Sequence, residues 1–148
     1  GLIQHVADKF GQYIEQVSEM SVQALVDARD ALSAANEASK GYKTFVAQEG
    51  YQLVKTRCQE AKQLIQALKP YLDPLDYDQA IGEIEQRIDG MLTDVARGQS
   101  QTYLDVRDFV KASRAAEEGL LIEPSNFELL ELRVKIEELW KLDIFDGE

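Results

Sequence analysis

Apolar residues in the first forty positions recur in steps of three and four. The series runs through Ile3, Val6, Phe10, Tyr13, Val17, Met20 and Ala24, and continues at Ala28, Ala31, Ala35 and Ala38. Such alternation places the side chains on one stripe of a helix that meets a partner helix. The two steps of four around Ala24 unwind a supercoil locally. The pattern therefore predicts one long helix over residues 2–39, which ends at Gly41.

A matching series follows in the next thirty residues. Its members are Ala47, Tyr51, Val54, Cys58, Ala61, Ile65, Leu68 and Leu72. This series predicts a second helix over residues 42–69, which Gly50 weakens by about 1 kcal/mol relative to Ala. Two matching stripes joined by a short turn predict a long antiparallel helical hairpin over residues 1–72.

The second half of the chain is also helical by pattern, which makes the predicted fold class all-α. The helices predicted there span residues 77–95, 99–121 and 126–141. Asp76 and the hydroxyl of Ser125 are expected to cap two of them, and Gly98 is expected to mark a turn. The middle helix is expected to bend near residues 107–108, and residues 142–148 are expected to fray.

An internal repeat links two segments of this half. Residues 71–80 read YLDPLDYDQA and residues 103–112 read YLDVRDFVKA, at an offset of 32. A fixed period of about this length is typical of stacked helical hairpins. The equivalent positions predict that Tyr71 and Tyr103 end helices, that Asp76 and Asp108 cap the next ones, and that Ala80 and Ala112 lie at close helix contacts.

The second copy resembles a tetratricopeptide repeat. It continues as ASRAAEEGLLIEP, and its small residues and final proline follow the family's spacing: Ala112, Ala116, Gly119 and Pro124. Tyr103 matches the aromatic residue of the family's first helix. The resemblance covers residues 61–140 approximately and departs from the family at several positions. Ala96, Gln99 and Ser100 stand where the family has Trp, Leu and Gly, and the first copy lacks the closing proline. The alternative is a generic helical bundle with a chance repeat.

The resemblance implies an acidic helical repeat region over residues 73–148 that packs as one unit with the hairpin. It also implies a groove for a partner segment, lined by the first helix of each repeat. The residues that it assigns to this groove are Arg97, Gln101, Asp105, Glu128, Glu131 and Lys135. An ordinary solvated helix face shows similar polar stripes. The second candidate surface is the alanine-rich stretch 24–38, provided that the second helix leaves it uncovered.

The net charge of −11 is unevenly distributed and bears on the partner. Residues 1–72 hold eight acids and eight bases, whereas residues 73–148 hold nineteen acids and eight bases. An acidic surface repels nucleic acid and anionic bilayers, so a basic peptide or protein is the favoured partner. Solvated surface acids are the alternative explanation. No apolar run reaches about 18 residues, so membrane insertion is not expected.

Candidate chemistry is sparse. A single Cys58 and a single His5 do not make the usual Cys/His zinc site, and the chain lacks the nucleotide-binding and hydrolase motifs. The absence of paired cysteines favours a cytoplasmic location. We therefore expect no cofactor and no enzymatic activity. Trp140 is either a core residue of the last helix or an exposed docking anchor.

Together these features predict a non-enzymatic adaptor that binds a partner peptide or protein segment. The alternative is a structural coiled-coil module whose long hairpin drives the oligomerisation of a larger protein.

Overall fold

The computed structural model describes residues 1–146, with the side chains of Val6 and Asp146 excepted. Within this part of the chain there are five α-helices, one short 3-10 helix and no strand. The α-helices are α1 (Leu2–Lys40), α2 (Thr44–Gln66), α3 (Pro74–Asp105), α4 (Phe109–Ile122) and α5 (Phe127–Asp146), and the 3-10 helix is Lys69–Tyr71. The predicted all-α fold class is confirmed.

Helices α1 and α2 form the predicted antiparallel hairpin, which depends on small residues at their interface. Ala28, Ala35 and Ala47 are buried between the two helices. A Cβ atom on Gly50 would lie 2.8 Å from the Cβ of Ala35. The glycine that weakens α2 locally is therefore the residue that lets α1 approach it.

The turn between α1 and α2 places the left-handed conformation on Tyr42 (φ 58°), not on Gly41. The amide of Tyr42 donates to the carbonyl of Ser39, and the amide of Lys43 donates to that of Ala38. These two bonds form the Schellman motif that closes many helices, usually with glycine in the left-handed position. Arg107 (φ 60°) occupies the same position at the end of α3.

Tyr42→Gly is expected to stabilise the protein. The left-handed conformation costs a non-glycine residue about 1–2 kcal/mol, and the side chain of Tyr42 is largely exposed, so its packing contributes little. Urea denaturation should show a gain of up to about 1 kcal/mol after the added chain entropy of glycine is subtracted. Tyr42→Ala, which keeps the strain, is the control, and an equal gain in both variants would contradict this explanation.

Helix α3 does not break at Gly98, so the predicted boundary between residues 95 and 99 is wrong. Gly98 lies inside α3, where its missing side chain makes room for the buried ring of Tyr51. The Tyr51 hydroxyl donates to the Asn36 side chain at 2.8 Å. The break comes at residues 106–108, where only a bend was predicted.

The helix starts also differ from the predictions in detail. Asp73 occupies the N-cap position of α3 because Pro74 takes the first helical position, and Asp76 lies in the first turn instead. Asp108 caps α4 as predicted, with its carboxylate accepting from the amide of Lys111. The side chain of Asn126, not Ser125, accepts from a backbone amide at the start of α5. Residues 142–146 continue α5 instead of fraying, and residues 147–148 lie outside the described part.

The core extends across the predicted boundary at residues 72 and 73. Ile84, Ile88 and Val95 of α3 pack with α1 and α2 in one apolar cluster. Further along α3, a second cluster joins α3, α4 and α5, and Trp140 stacks on Phe109 with ring centroids 5.9 Å apart. Trp140 is therefore a half-buried packing residue. Helix α3 connects the two halves of the chain.

Candidate protein-binding groove

The alanine face of the stretch 24–38 of α1 is not available as a contact surface. Ala24, Ala28, Ala35 and Ala38 are all buried, and most of them lie under α2. This second candidate surface required that α2 leave the stretch uncovered, and on the alanine side α2 covers it.

The C-terminal part of α3 and the first half of α5 enclose an open groove of about 410 Å³. Five of the six residues predicted from the sequence surround it together with Leu132: Arg97, Gln101, Glu128, Glu131 and Lys135. Asp105 does not line it. Its carboxylate accepts from the Gln101 side chain at 2.8 Å in the last turn of α3. The structure thus brings the predicted residues together, with Asp105 outside.

Arg97 closes one end of the groove. Its guanidinium pairs across the groove with Glu128 of α5 and along α3 with Asp94, the latter at 3.4 Å. Glu131 and Lys135, in contrast, form no ion pair with any described residue. The groove therefore has one internally paired end and one end whose charges are available to a ligand.

The paired end has an acidic surrounding. Burial raises the pKa of the Asp94 carboxyl, Arg97 opposes this, and the Glu128 and Glu123 carboxylates add to the increase. Three carboxylates, those of Asp94, Glu123 and Glu128, therefore share the single guanidinium of Arg97 at this end.

Small residues set the positions of the helices that form the groove. The buried hydroxyl of Ser100 donates to the carbonyl of Ala112 at 2.8 Å and joins α3 to α4. A Cβ atom on Gly119 would lie 2.7 Å from the Cβ of Ala96. Since only glycine fits there, α4 can pack closely between α3 and α5. This packing holds α5 beside α3 and keeps the groove open.

A second groove of about 580 Å³ lies between α1 and α3, on the other side of the Arg97–Asp94 ion pair from the first. The apolar and polar patterns of the sequence did not predict this groove. Val22, Leu25 and Val26 form a second apolar stripe on α1, one or two positions from the nearest residues of the predicted seam, and this stripe was the available signal. Two arginines, Arg29 and Arg87, line the same groove.

Reactive and metal-binding arrangements are few. Burial raises the pKa of the Cys58 thiol to about 11, so this thiol stays protonated and is a poor nucleophile. Within residues 1–146 there is no group of three or more His, Cys, Asp or Glu side chains arranged to hold a metal ion. No described helix is long and apolar enough to cross a membrane.

Searches of protein-family models, of curated proteins and of solved structures found no match to this chain.

Proposed function

We propose that this protein is a non-enzymatic interaction module that binds a segment of a partner protein in the groove between α3 and α5. The observation that carries the proposal is the clustering of five residues, selected from the sequence repeat, around one open groove. The tetratricopeptide-like interpretation of residues 61–140 belongs to the same proposal, because it assigns this face to ligand binding.

The partner segment is expected to be basic and either extended or helical. Glu131 and Lys135 lie at the end of the groove whose charges are unpaired, and the half-buried Asp94 pairs with Arg97 at the other end. The acidic excess of residues 73–148 adds a long-range attraction for cations. A cytoplasmic location completes the proposal and is consistent with a single, buried cysteine.

The groove is tested by exchanging two of its charges. Arg97→Glu combined with Glu131→Arg keeps the net charge but reverses the charge pattern. With a partner isolated by affinity capture and then purified, the dissociation constant should rise about tenfold or more, which corresponds to about 1.4 kcal/mol. The fold of the variant should be verified by circular dichroism.

The matched control is Arg114→Glu combined with Glu138→Arg, which makes the same exchange at exposed positions outside this groove. This control should change the affinity less than about twofold, because rim or distant charges contribute little to affinity. Undiminished binding by the groove variant would exclude the groove between α3 and α5.

One specific observation favours the alternative function, oligomerisation. Helix α1 has 39 residues and α2 has 23, so the first turns of α1 extend past the end of its partner. Ile3 is 87 % exposed and Phe10 is 49 % exposed, although both belong to the predicted seam. The rings of Phe10 and Tyr13 pack against Tyr71, at centroid distances of 5.6 and 5.3 Å. A second helix would cover this open part of the seam.

Light scattering decides between the two functions. If α1 drives oligomerisation, the protein is expected to be a dimer or larger at about 100 µM, and Ile3→Asp with Phe10→Asp should return it to a monomer. Val110→Asp, at an exposed apolar position on α4, is the control. A monomer at this concentration would exclude the oligomerisation module.

A further inference from the structure

The groove between α1 and α3 arises from the way these helices pack. Both run antiparallel to α2 and pack against it, and each contacts α2 far more than it contacts the other. Near their C-termini the Ser39 and Thr102 hydroxyls share a hydrogen bond of 2.8 Å. Toward their N-termini the space between them opens into the groove of about 580 Å³.

This groove, which we name the α1–α3 groove, has an apolar floor and one apolar wall. Leu25 and Leu32 are buried in the floor, and Met91 is half-buried beside them. Val22 and Val26 lie one turn apart on α1 and remain 50 % and 45 % exposed. A ligand with apolar side chains would remove this surface from water.

The arginines of the α1–α3 groove are unusual in so acidic a chain. The sequence has 27 acidic and 16 Lys or Arg residues, yet neither Arg29 nor Arg87 forms an ion pair within residues 1–146. Four of the other five arginines do form one, namely Arg57, Arg97, Arg107 and Arg133. Two carboxylates also line the groove, but both have partners: Asp94 pairs with Arg97, and Glu123 accepts from the Asn126 side chain. The two exposed guanidinium groups beside the apolar floor are therefore the unpaired charges of the groove, and they are suited to the carboxylates of a ligand.

The helix register gives the spacing of these charges. Ser39 and Thr102 are 63 positions apart and lie at the same level of the two parallel helices. With this offset Arg29 lies level with position 92, five positions beyond Arg87, or about 7 Å along the axis. The lining from Val22 to Leu32 spans about 15 Å, which is roughly three helical turns.

We propose that the α1–α3 groove binds an amphipathic helix of a partner protein that carries carboxylates on both flanks of its apolar face. Its apolar side chains pack against Val22, Leu25 and Met91, at the spacing that helix-in-groove binding uses. Its carboxylates pair with Arg29 on one wall and Arg87 on the other. This surface goes beyond the function proposed above, since it is lined by other residues and its unpaired charges are positive.

The experiment uses the full chain and a displayed library of helical peptides of about twelve residues with randomised flanks and a constant apolar face. The wild-type protein is the bait, and selected peptides are then synthesised for affinity measurements. The variants are Arg29→Glu with Arg87→Glu, and Gly90→Leu, which fills the groove. No described atom lies within 4 Å of a Cβ placed on Gly90, so the leucine side chain begins in open space, and circular dichroism should verify that the fold is retained.

We expect the selected peptides to carry acidic flanks and to lose affinity about tenfold or more in both variants. Arg114→Glu with Lys141→Glu makes the same charge change outside the α1–α3 groove and should leave the affinity unchanged. Glu131→Arg, which changes a residue of the groove between α3 and α5 only, should also leave it unchanged and so separates the two sites.

Three results would overturn the proposal. The first is that the selected peptides carry basic flanks, or that no sequence is enriched. The second is that the peptides bind the arginine variant as tightly as the wild type. The third is that light scattering shows a dimer for the wild-type chain and a monomer for the arginine variant. In that case a second copy of this chain occupies the groove.

Discussion

Replacing Gly98 by Ala is expected to lower the free energy of unfolding by about 1–3 kcal/mol, the usual cost of overpacking a core. A Cβ atom at this position would lie 2.7 Å from the Cε1 atom of Tyr51 and closer still to its hydroxyl end. The ring cannot move aside easily, because it is only 1 % exposed and its hydroxyl is bonded to Asn36. Helices α2 and α3 would have to separate.

Gly82→Ala is the matched control for this prediction. Gly82 also lies inside α3, but no described atom comes within 4 Å of a Cβ placed there. Alanine should therefore raise stability by about 0.5–1 kcal/mol through its helix propensity. Urea denaturation of the two variants should show shifts of opposite sign. If Gly98→Ala stabilises the protein as Gly82→Ala does, Tyr51 is not the reason for the glycine.

Gly98 also shows why the sequence predicted some helix boundaries and not others. The first two helices follow an apolar repeat of 23 residues or more, and their boundaries were predicted to within a few residues. Gly41 and Gly98 give the same local signal for a helix end. They differ in that Tyr51 packs against Gly98 from another helix, and this contact is a tertiary fact that local propensity does not contain.

The capping residues were ambiguous for a different reason. Asp73 and Asp76 are both good N-caps, and so are Ser125 and Asn126. The fixed backbone angle of Pro74 selects Asp73, since proline is favoured at the first helical position. At α5 the hydrogen bond from the amide of Leu129 selects Asn126. The existence of each helix was predictable from the sequence. Its first residue was not, because two nearby residues could each cap it.

The two grooves differ in how far the sequence could predict them. The positions of Arg97 and Gln101 on α3 follow from the register of the sequence repeat. This register is the same whether or not a helix ends between residues 95 and 99. The α1–α3 groove depends on two helices that contact α2 far more than each other and that are joined near their C-termini by the Ser39–Thr102 hydrogen bond. The apolar stripe that contains Val22 and Val26 is visible in the sequence, but a single sequence carries no signal for the separation of α1 from α3.

The two alanines of the sequence repeat are expected to respond unequally to enlargement. Ala112 is fully buried, and its carbonyl is held by Ser100 across the contact of α3 and α4. Ala112→Leu should therefore cost about 1–3 kcal/mol, the range for overpacking a well-packed core. Ala80 is only half-buried near the start of α3, so Ala80→Leu should cost less than about 1 kcal/mol. The sequence repeat alone predicted that both are buried at close helix contacts.

Thermal and urea denaturation of both variants test how far the repeat extends into the structure. The first copy leads into α3, which continues unbroken to Asp105, whereas the second copy leads into the short helix α4. Equal, large losses of stability would mean that the two alanines have equivalent packing and would strengthen the tetratricopeptide-like interpretation. A loss at Ala112 alone would restrict that interpretation to α3 and α4. Neutral behaviour of both variants would refute the repeat register, and the groove residues chosen from it would then need independent support from the charge-exchange experiment.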